Sequence, residues 1–538
     1  MQACDRLTTE RFGVPSLDLM RAASSAVAAF ARQYFPRARK ITALCGRGNN
    51  GGDGMMAAHQ LVSAGLEVTT LLLGSPHSLT GDAAQAWKEL TSPEHGSIHV
   101  VEEANDLVRH NSALQADLII DAILGTGFKP PLKGLALAAL DWVKASKAPI
   151  LAVDLPSGWP ADETSATIAT PVFPADAVIT FTAPKPAHVF GQLTRHWSQP
   201  IAVAPIGSPD EAVVSSLNLT WAGSSLALAQ APRAITANKG NFGHVLVVGG
   251  SLGKSGAPAM TSLAAMRAGA GLVTAAVPEP ILGLVAYIAP ELMTWPLDAS
   301  NDGSISEENL APELSASLTS GKTVMAIGPG LGQSPTTVKF TTGLLSATKL
   351  PAVVDADALN ILAAQSSLLT KLSKNRTLVL TPHPGEMARL ASHTTAEVQD
   401  NRLEVARGFA QINNLTLVLK GARTLIAHPD GRVAVNTTGN PGMAKGGSGD
   451  LLTGIIAGLL AQYPSDPARA VEAAVFLHGL AGDLAVRDGN EHTLLPTETL
   501  DYLSQAFRFR SSGQTGYLWL QGLPAEFIPA AAFDEEAT

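Results

Sequence analysis

Short apolar runs alternate with amphipathic stretches along the chain. Leu17, Met20, Ala23, Val27, Phe30 and Ala31 recur at helical spacing between Pro15 and Tyr34, and Pro36 ends that helix. Residues Lys40 to Cys45 read as a short buried strand, Gly46 to Gly54 as a glycine-rich turn, and Met55 to Ala64 as a helix. Further strands are expected over 67–73, 116–122, 149–154, 176–181 and 201–204, with a helix over 82–90. From about Pro209 to Pro232 the chain turns Ser-, Ala- and Pro-rich, which predicts a boundary. A second series follows, with strands at 244–250, 271–277, 324–327, 352–358, 377–381 and 416–419. Helices are expected over 255–267, 451–460 and 468–487. This alternation is an α/β pattern, and the two series do not read as copies of each other.

Length and composition narrow the picture. A chain of 538 residues exceeds one ordinary domain, and the pattern favours two. The expected division is a first domain over 1–213, a linker over 214–232 and a second domain over 233–510. Residues 511–538 are read as a poorly ordered extension or an accessory lid. Apolar residues at 46% against 15% charged supply ample core. The net charge of −9 argues against a general nucleic-acid or membrane-surface role, which needs a basic face. Cys4 and Cys45 are the only cysteines, too few for a disulfide framework or a zinc site. That thiol economy and the lack of a signal peptide predict a cytoplasmic protein. No eighteen-residue apolar run is free of Gly, Pro and charge, so no membrane helix is expected.

Candidate chemistry gathers just after the strands. The stretch Gly439-Asn440-Pro441-Gly442-Met443-Ala444-Lys445-Gly446-Gly447-Ser448-Gly449-Asp450 runs into the apolar segment Leu451–Leu460. A helix starting there points free N–H groups at the loop, and glycines let those amides close around a phosphate. A carboxylate beside bound phosphate repels it, so Asp450 makes better sense as a base taking a proton from a nearby hydroxyl. In the first series three strand ends carry polar groups: Asn49–Asp53, Asp121–Lys129 and Asp154–Ser157. Polar groups at the carboxyl ends of parallel strands are where open α/β sheets bind ligands. In the second series Lys420 is a natural counter-charge at a phosphate site. His383, flanked by two prolines, sits in a stiffened loop with Glu386 and Arg389 nearby.

Taken together these motifs resemble the bifunctional NAD(P)H-hydrate repair enzymes, which fuse an NAD(P)HX epimerase domain to an ADP-dependent (S)-NAD(P)H-hydrate dehydratase domain. In the first half the likeness rests on Asn49-Asn50-Gly51-Gly52-Asp53-Gly54, Asp121-Ala122-Ile123-Leu124-Gly125-Thr126-Gly127 and Asp154-Leu155-Pro156-Ser157-Gly158. In the second it rests on Gly328-Pro329-Gly330-Leu331-Gly332, Thr381-Pro382-His383-Pro384-Gly385-Glu386 and Gly446-Gly447-Ser448-Gly449-Asp450. The resemblance spans roughly residues 1–510. It implies a Rossmann-like three-layer α/β/α domain followed by a ribokinase-like α/β domain. By the same likeness Asn49, Asn50, Gly51, Gly52, Asp53, Asp154 and the run Gly125-Thr126-Gly127-Phe128-Lys129-Pro130-Pro131 would hold the hydrated cofactor in the first domain. Asn50, Asp121 and Ser157 would bind a potassium ion. In the second domain Ala257, Gly330, Asp450 and His383-Pro384-Gly385-Glu386-Met387-Ala388-Arg389 would face hydrated nicotinamide nucleotide. Lys420-Gly421-Ala422-Arg423-Thr424 and Asn440 to Gly449 would hold ADP, the co-substrate, with a magnesium ion. The amino terminus is expected to be shorter than in the family, and Met20-Arg21-Ala22-Ala23-Ser24 stands where relatives tend to have an Asn and a Gly.

The substrate class fits this layout. Hydrated NADH is a hemiaminal whose hydroxyl leaves poorly until phosphorylated. Asp450 is expected to take the hydroxyl proton as the oxygen attacks ADP. Asp154 is expected to carry a proton in epimerisation, with Lys129 as helper. A homo-oligomer acting on small molecules is anticipated. Two alternatives compete: a ribokinase-like small-molecule kinase, and a first domain that resembles the apolipoprotein A-I binding protein and acts as a non-catalytic binding module.

Overall fold

The computed structural model describes residues 2–91, 96–213, 217–510 and 516–524. The chain divides into two compact units, Met1–Ser215 with Arg510–Thr538, and Ser216–Phe509.

The first unit is a single sheet with helices on both faces. Its strands are β1 (Lys40–Cys45), β2 (Glu67–Leu73), β3 (Ser97–Val101), β4 (Leu118–Ala122), β5 (Ile150–Val153), β6 (Ala177–Phe181) and β7 (Ile201–Ala204). They pair in the order β7-β6-β5-β4-β1-β2-β3, all parallel, so the winding reverses between β1 and β4. Loops leaving β1 and β4 part in opposite directions there, and the crevice between them opens at the carboxyl ends. That is the Rossmann-like order expected from the sequence. The central strands β4 and β5 are buried along their whole length, which is why they read as unbroken apolar runs.

One expected boundary shifts. The helix after β1 runs from Asn49 to Ser63, so the glycine-rich stretch forms its first turns and not a loop. Its glycines serve close packing: a Cβ at Gly51 would lie 1.8 Å from the Gly46 carbonyl oxygen, and one at Gly54 2.4 Å from the Ala122 Cβ. Only glycine lets this helix settle so near β1 and β4. The amino-terminal stretch, for which no element is expected from the sequence, forms a helix over Gln2–Phe12.

The second unit holds a ten-stranded sheet. In chain order its strands are β8 (Leu219–Trp221), β9 (His244–Val248), β10 (Leu272–Pro278), β11 (Met293–Leu297), β12 (Val324–Ile327), β13 (Ala352–Val354), β14 (Leu378–Leu380), β15 (Thr416–Leu419), β16 (Leu425–Ala427) and β17 (Val433–Val435). The order is β11-β10-β9-β12-β13-β14-β15-β16-β17-β8, parallel from β11 to β15, with antiparallel pairing only at β15–β16 and β16–β17. Here the reversal falls between β9 and β12. The helix Ser448–Gln462 packs on the helix Gly256–Arg267 through small residues. A Cβ at Gly454 would lie 2.2 Å from the Thr261 carbonyl oxygen, so the two backbones approach closely. This contact fixes where the first turn of Ser448–Gln462, with Asp450, points.

Two stretches differ from expectation. Part of the expected linker is structured, because β8 adds to the edge strand β17 and Trp221 is buried. Part of the expected extension is β18 (Leu518–Gln521), which pairs antiparallel with β7. Tyr517 and Trp519 of this segment pack on Phe30, and the Tyr517 hydroxyl donates to the Ala26 carbonyl, so burial of aromatics draws the tail back to the first sheet. The acidic end of the extension, and residues 214–216 of the linker, lie outside the described residues. The run His383–Arg389, read as loop, is the start of a helix over Pro384–Ala391 capped by His383 Nδ1, which accepts from the Gly385 and Glu386 amides. Among the described residues no helix is long and apolar enough to cross a membrane.

Candidate functional site

A cavity of about 760 Å³ opens at the switch point of the first sheet. The expected residues Asn49, Asn50, Asp53, Gly125, Thr126, Gly127, Phe128 and Asp154 line it. Gly125 sits where no side chain fits: a Cβ there would lie 2.7 Å from Asp154 Oδ2 and 3.1 Å from Asn50 Oδ1. Asp154 itself holds a left-handed backbone (φ 66°), a strained conformation at a strand end.

Both oxygens of Asp154 are occupied. Oδ2 accepts from the Thr126 amide at 2.7 Å and the Thr126 hydroxyl at 2.5 Å. Oδ1 accepts from the Thr180 hydroxyl at 2.9 Å and pairs with Lys185 Nζ at 2.8 Å. The buried His188 ring donates from Nε2 to the Asp154 carbonyl, while its Nδ1 accepts from the Lys185 amide. Burial raises the Asp154 carboxyl, but the charge of Lys185 and the hydrogen bonds from Lys185 and Thr126 outweigh it and hold the group well below the usual carboxylate range. The cation that holds Asp154 ionised is Lys185, a buried lysine the sequence did not single out. The expected helper Lys129 is exposed and does not line the cavity, and neither do Pro130 and Pro131. Gly51 and Gly52 serve helix packing. Met20 and Ala23, at the stretch that departs from the family pattern, form part of the cavity wall.

Behind this wall, Asp121 is fully buried. Its Oδ1 accepts from the Ser157 hydroxyl at 2.6 Å and its Oδ2 from the Ser157 amide at 2.8 Å. Burial pushes its carboxyl up to about 6, with the hydrogen bonds from Ser157 and Ile123 working the other way. The Asn50 amide is buried, and among the described residues neither its oxygen nor its nitrogen has a partner.

In the second unit the strand ends of β13, β14 and β15 converge. Lys420, after β15, donates from Nζ to Asp355 Oδ1 at 2.8 Å, and its Nζ lies 3.9 Å from Glu386 Oε2. Asp355, after β13, also accepts from the hydroxyls of Thr381 and Thr453. Glu386 accepts from the His383 amide at 2.8 Å. A Cβ at Gly449 would lie 3.4 Å from Lys420 Nζ, so the glycine loop closes over this pair. Asp450 stands in the first turn of its helix, which starts without a side-chain cap behind a left-handed Gly447. Burial, and secondarily the charge of Asp355, pushes the Asp450 carboxyl up to about 7, against the pull of Lys420. A base poised there can both accept and release a proton near neutrality.

Ala257 and Gly330 meet, a Cβ at Gly330 falling 3.3 Å from the Ala257 Cβ, and Lys254 lies beside them. Met387 and Ala388, which follow Glu386 in the helix Pro384–Ala391, are buried. Arg389 donates to Asn360 at 2.8 Å. On the expected ADP side, Asp483 ties the loop down, accepting from the Gly439 amide at 2.9 Å and from Asn440 Nδ2 at 3.0 Å. Burial pushes Asp483 up to about 7, with Arg423 opposing. Lys445 donates to the His492 carbonyl. Asp355 and Asp483 were missed as site residues. Asp355 ends an apolar run that was noted, but Asp483 sits mid-helix with no local signal.

Each unit thus defines a nucleotide-handling α/β domain with a buried lysine–aspartate pair at its strand ends. Residues 16–187 match the family described as YjeF-related protein N-terminus, and residues 245–505 match the family described as NAD(P)H-hydrate dehydratase. The chain is 41% identical over 521 residues to the bifunctional NAD(P)H-hydrate repair enzyme of Moorella thermoacetica, covering 94% of this chain and 95% of that one. It is 36% identical to the enzyme of the same name from Escherichia coli, covering 91% and 89%. A solved structure of an ADP/ATP-dependent NAD(P)H-hydrate dehydratase from Bacillus subtilis, co-crystallized with ATP and magnesium, is 32% identical, covers 55% of this chain and 99% of that chain, and has a TM-score of 0.47. The chain belongs to the bifunctional NAD(P)H-hydrate repair enzyme family, with a dehydratase domain of ribokinase-like class and an epimerase-related first domain. The matches favour this reading over the small-molecule kinase.

Proposed function

We propose that the chain restores hydrated NAD(P)H in two reactions, epimerising R- and S-NAD(P)HX in the first unit and dehydrating the S form in the second at the expense of ADP. The observation that carries the reading is the pairing of the two family matches with two separate carboxylate sites, one in each unit.

In the dehydratase site Asp450 takes the proton from the hydroxyl of the hemiaminal carbon, and that oxygen attacks the β-phosphorus of ADP, releasing AMP. The ring-nitrogen lone pair then expels phosphate, and loss of a ring proton leaves NAD(P)H. Lys420 offsets phosphate charge, and the amides at the start of Ser448–Gln462 receive the transferring group. Ala257, Gly330, His383, Glu386 and Arg389 border the nicotinamide nucleotide. Asn440 to Gly449, with Lys420 to Thr424, border ADP. The Bacillus subtilis relative was crystallised with ATP and magnesium, and magnesium would accompany the nucleotide here. Among the described residues no cluster of three or more His, Cys, Asp or Glu side chains could hold a metal, so the ion would travel on the phosphates.

In the epimerase site Asn50, Asp121 and Ser157 fit a potassium ion. Asp121 is a buried carboxylate with no basic side chain among its hydrogen-bond partners, and the Asn50 oxygen is unpartnered. Hard oxygen donors suit such a cation, which would supply the missing positive charge. We further place the enzyme in the cytoplasm, where its two free cysteines stay reduced, as a homo-oligomer.

The direct test is recovery of NADH absorbance from mixed R- and S-NADHX with ADP. Full recovery supports both reactions. Recovery that stops at the S fraction removes the epimerase half, and no recovery with ADP or ATP sinks the whole reading.

A further inference from the structure

The epimerase cavity holds more carboxyls than its cations can serve. Asp5 and the exposed Glu10 come from the amino-terminal helix, Asp53 from the helix after β1, Asp82 from the start of the helix Gly81–Leu90, and Asp154 from the end of β5. Opposite them stand the rim residues Arg6 and Arg47, both exposed, and the buried Lys185. Lys185 is already spent, since its Nζ contacts Asp154, Thr180 and the Phe181 carbonyl. Asp53 is only 9% exposed, lines the cavity, and has no hydrogen-bond partner for its carboxyl among the described residues. A buried carboxylate without a partner is costly, whereas a neutral carboxyl is not, and it can donate.

We propose that Asp53 is the proton donor of epimerisation: its unpartnered carboxyl, set in the cavity wall beside the Asp154–Lys185 pair, protonates the hemiaminal hydroxyl. This rests on the epimerase reading above. The proton of Asp53 passes to the hydroxyl oxygen, the carbon–oxygen bond breaks, and water leaves. The ring-nitrogen lone pair forms the C=N bond, so the charge left on Asp53 is balanced by an iminium cation. Water then adds to the opposite face, the C=N pair returns to nitrogen, and the surplus proton passes through cavity water back to Asp53. Asp154, kept ionised by Lys185, faces the transient cation as a fixed negative charge. Burial first, then the negative charges of Asp154, Asp5 and Asp82 against the positive charge of Lys185, keep Asp53 neutral far above the usual carboxylate range.

The test is full-length Asp53→Asn beside wild type and Asp53→Glu, following R-to-S conversion chromatographically without ADP. Asp53→Asn should lose at least ~100-fold of the rate above background. Asp53→Glu should recover part of it, with the alkaline limb of its pH profile displaced. Infrared difference spectra between wild type and Asp53→Asn at neutral pH should show a protonated carboxyl band in the wild type. Recovery of NADH from pure S-NADHX with ADP should be unchanged in all three, because it belongs to the other unit. Wild-type conversion by Asp53→Asn, or the absence of the protonated band, overturns the assignment alone. Wild-type protein no faster than buffer overturns the epimerase reading and the assignment with it.

Discussion

The two units solve one electrostatic problem in two ways. Each sets a lysine against an aspartate at a strand end, Lys185 with Asp154 and Lys420 with Asp355, both at 2.8 Å. Each places a second aspartate in the first turns of a helix after a glycine-rich stretch, Asp53 and Asp450. The difference is burial. The Lys185 side chain is 5% exposed and that of Lys420 20%. Asp53 is pushed far up by burial and three neighbouring carboxylates, whereas Asp450 stops at about 7 with Lys420 pulling it down. On the roles proposed above, the same motif of lysine, aspartate and helix-borne aspartate serves as an acid in one unit and a base in the other. Solvent access and the count of nearby charges decide which.

That contrast can be broken most sharply at the lysines. Lys185→Met leaves Asp154 buried without its cation and should cost the first unit about 3–5 kcal/mol, read as an earlier unfolding transition with the second transition unmoved. Lys420→Met should cost its unit a comparable amount, because the Asp355 side chain it strands is only 2% exposed and keeps only the Thr381 and Thr453 hydroxyls. A much smaller loss in either unit would show that its aspartate is held by hydroxyls and not by the lysine. Next in size, Asp450→Asn should slow dehydration at least ~100-fold while ADP still binds in calorimetry, and a near-normal rate removes Asp450 from the chemistry.

The pH profiles should cross. Asp450 must be ionised to act, and its carboxyl is raised to about 7, so dehydration should climb as pH rises through that value. Asp53 must be protonated to act, so epimerisation should hold at low pH and fall as pH rises through its raised range. Parallel profiles would contradict the acid–base division. A smaller effect is expected at Asp483→Asn, which removes one acceptor from the Gly439–Asn440 loop. ADP affinity should weaken roughly tenfold, in line with about 1–3 kcal/mol for a lost buried acceptor, with turnover at saturation little changed. The smallest belongs to Lys129→Ala: exposed and outside the cavity, it should leave epimerisation unchanged and stability within about 0.5 kcal/mol.

The element order and much of each site were legible in the chain. Asp121, Asp154 and Asp355 end or follow apolar runs, which a parallel sheet gathers at one edge, and Asp450 joins a glycine-rich stretch to the apolar helix that follows, so local pattern locates them although it did not single out Asp355. What local pattern cannot report is distance across sequence. Lys185 reaches Asp154 over 31 positions, and nothing in its neighbours marks it for that role; Lys420, which follows an apolar run and is expected at a phosphate site, reaches Asp355 over 65, a pairing its neighbours do not announce. Hydrophobic periodicity also misjudged short edge strands such as β8 and β18, which form because a sheet edge and a buried aromatic cluster are available to them and not because of strong intrinsic preference.

The sequence by itself determined that the protein is a two-domain α/β chain with strand-end carboxylates and glycine-rich helix starts, because those features follow from residue spacing and backbone geometry. Only the tertiary structure decided which carboxylate is ionised and which holds its proton. That depends on burial and on charges brought together from distant positions: the buried Lys185 holds the charge on Asp154, whereas burial and the neighbouring carboxylates raise Asp53 against the pull of the same lysine.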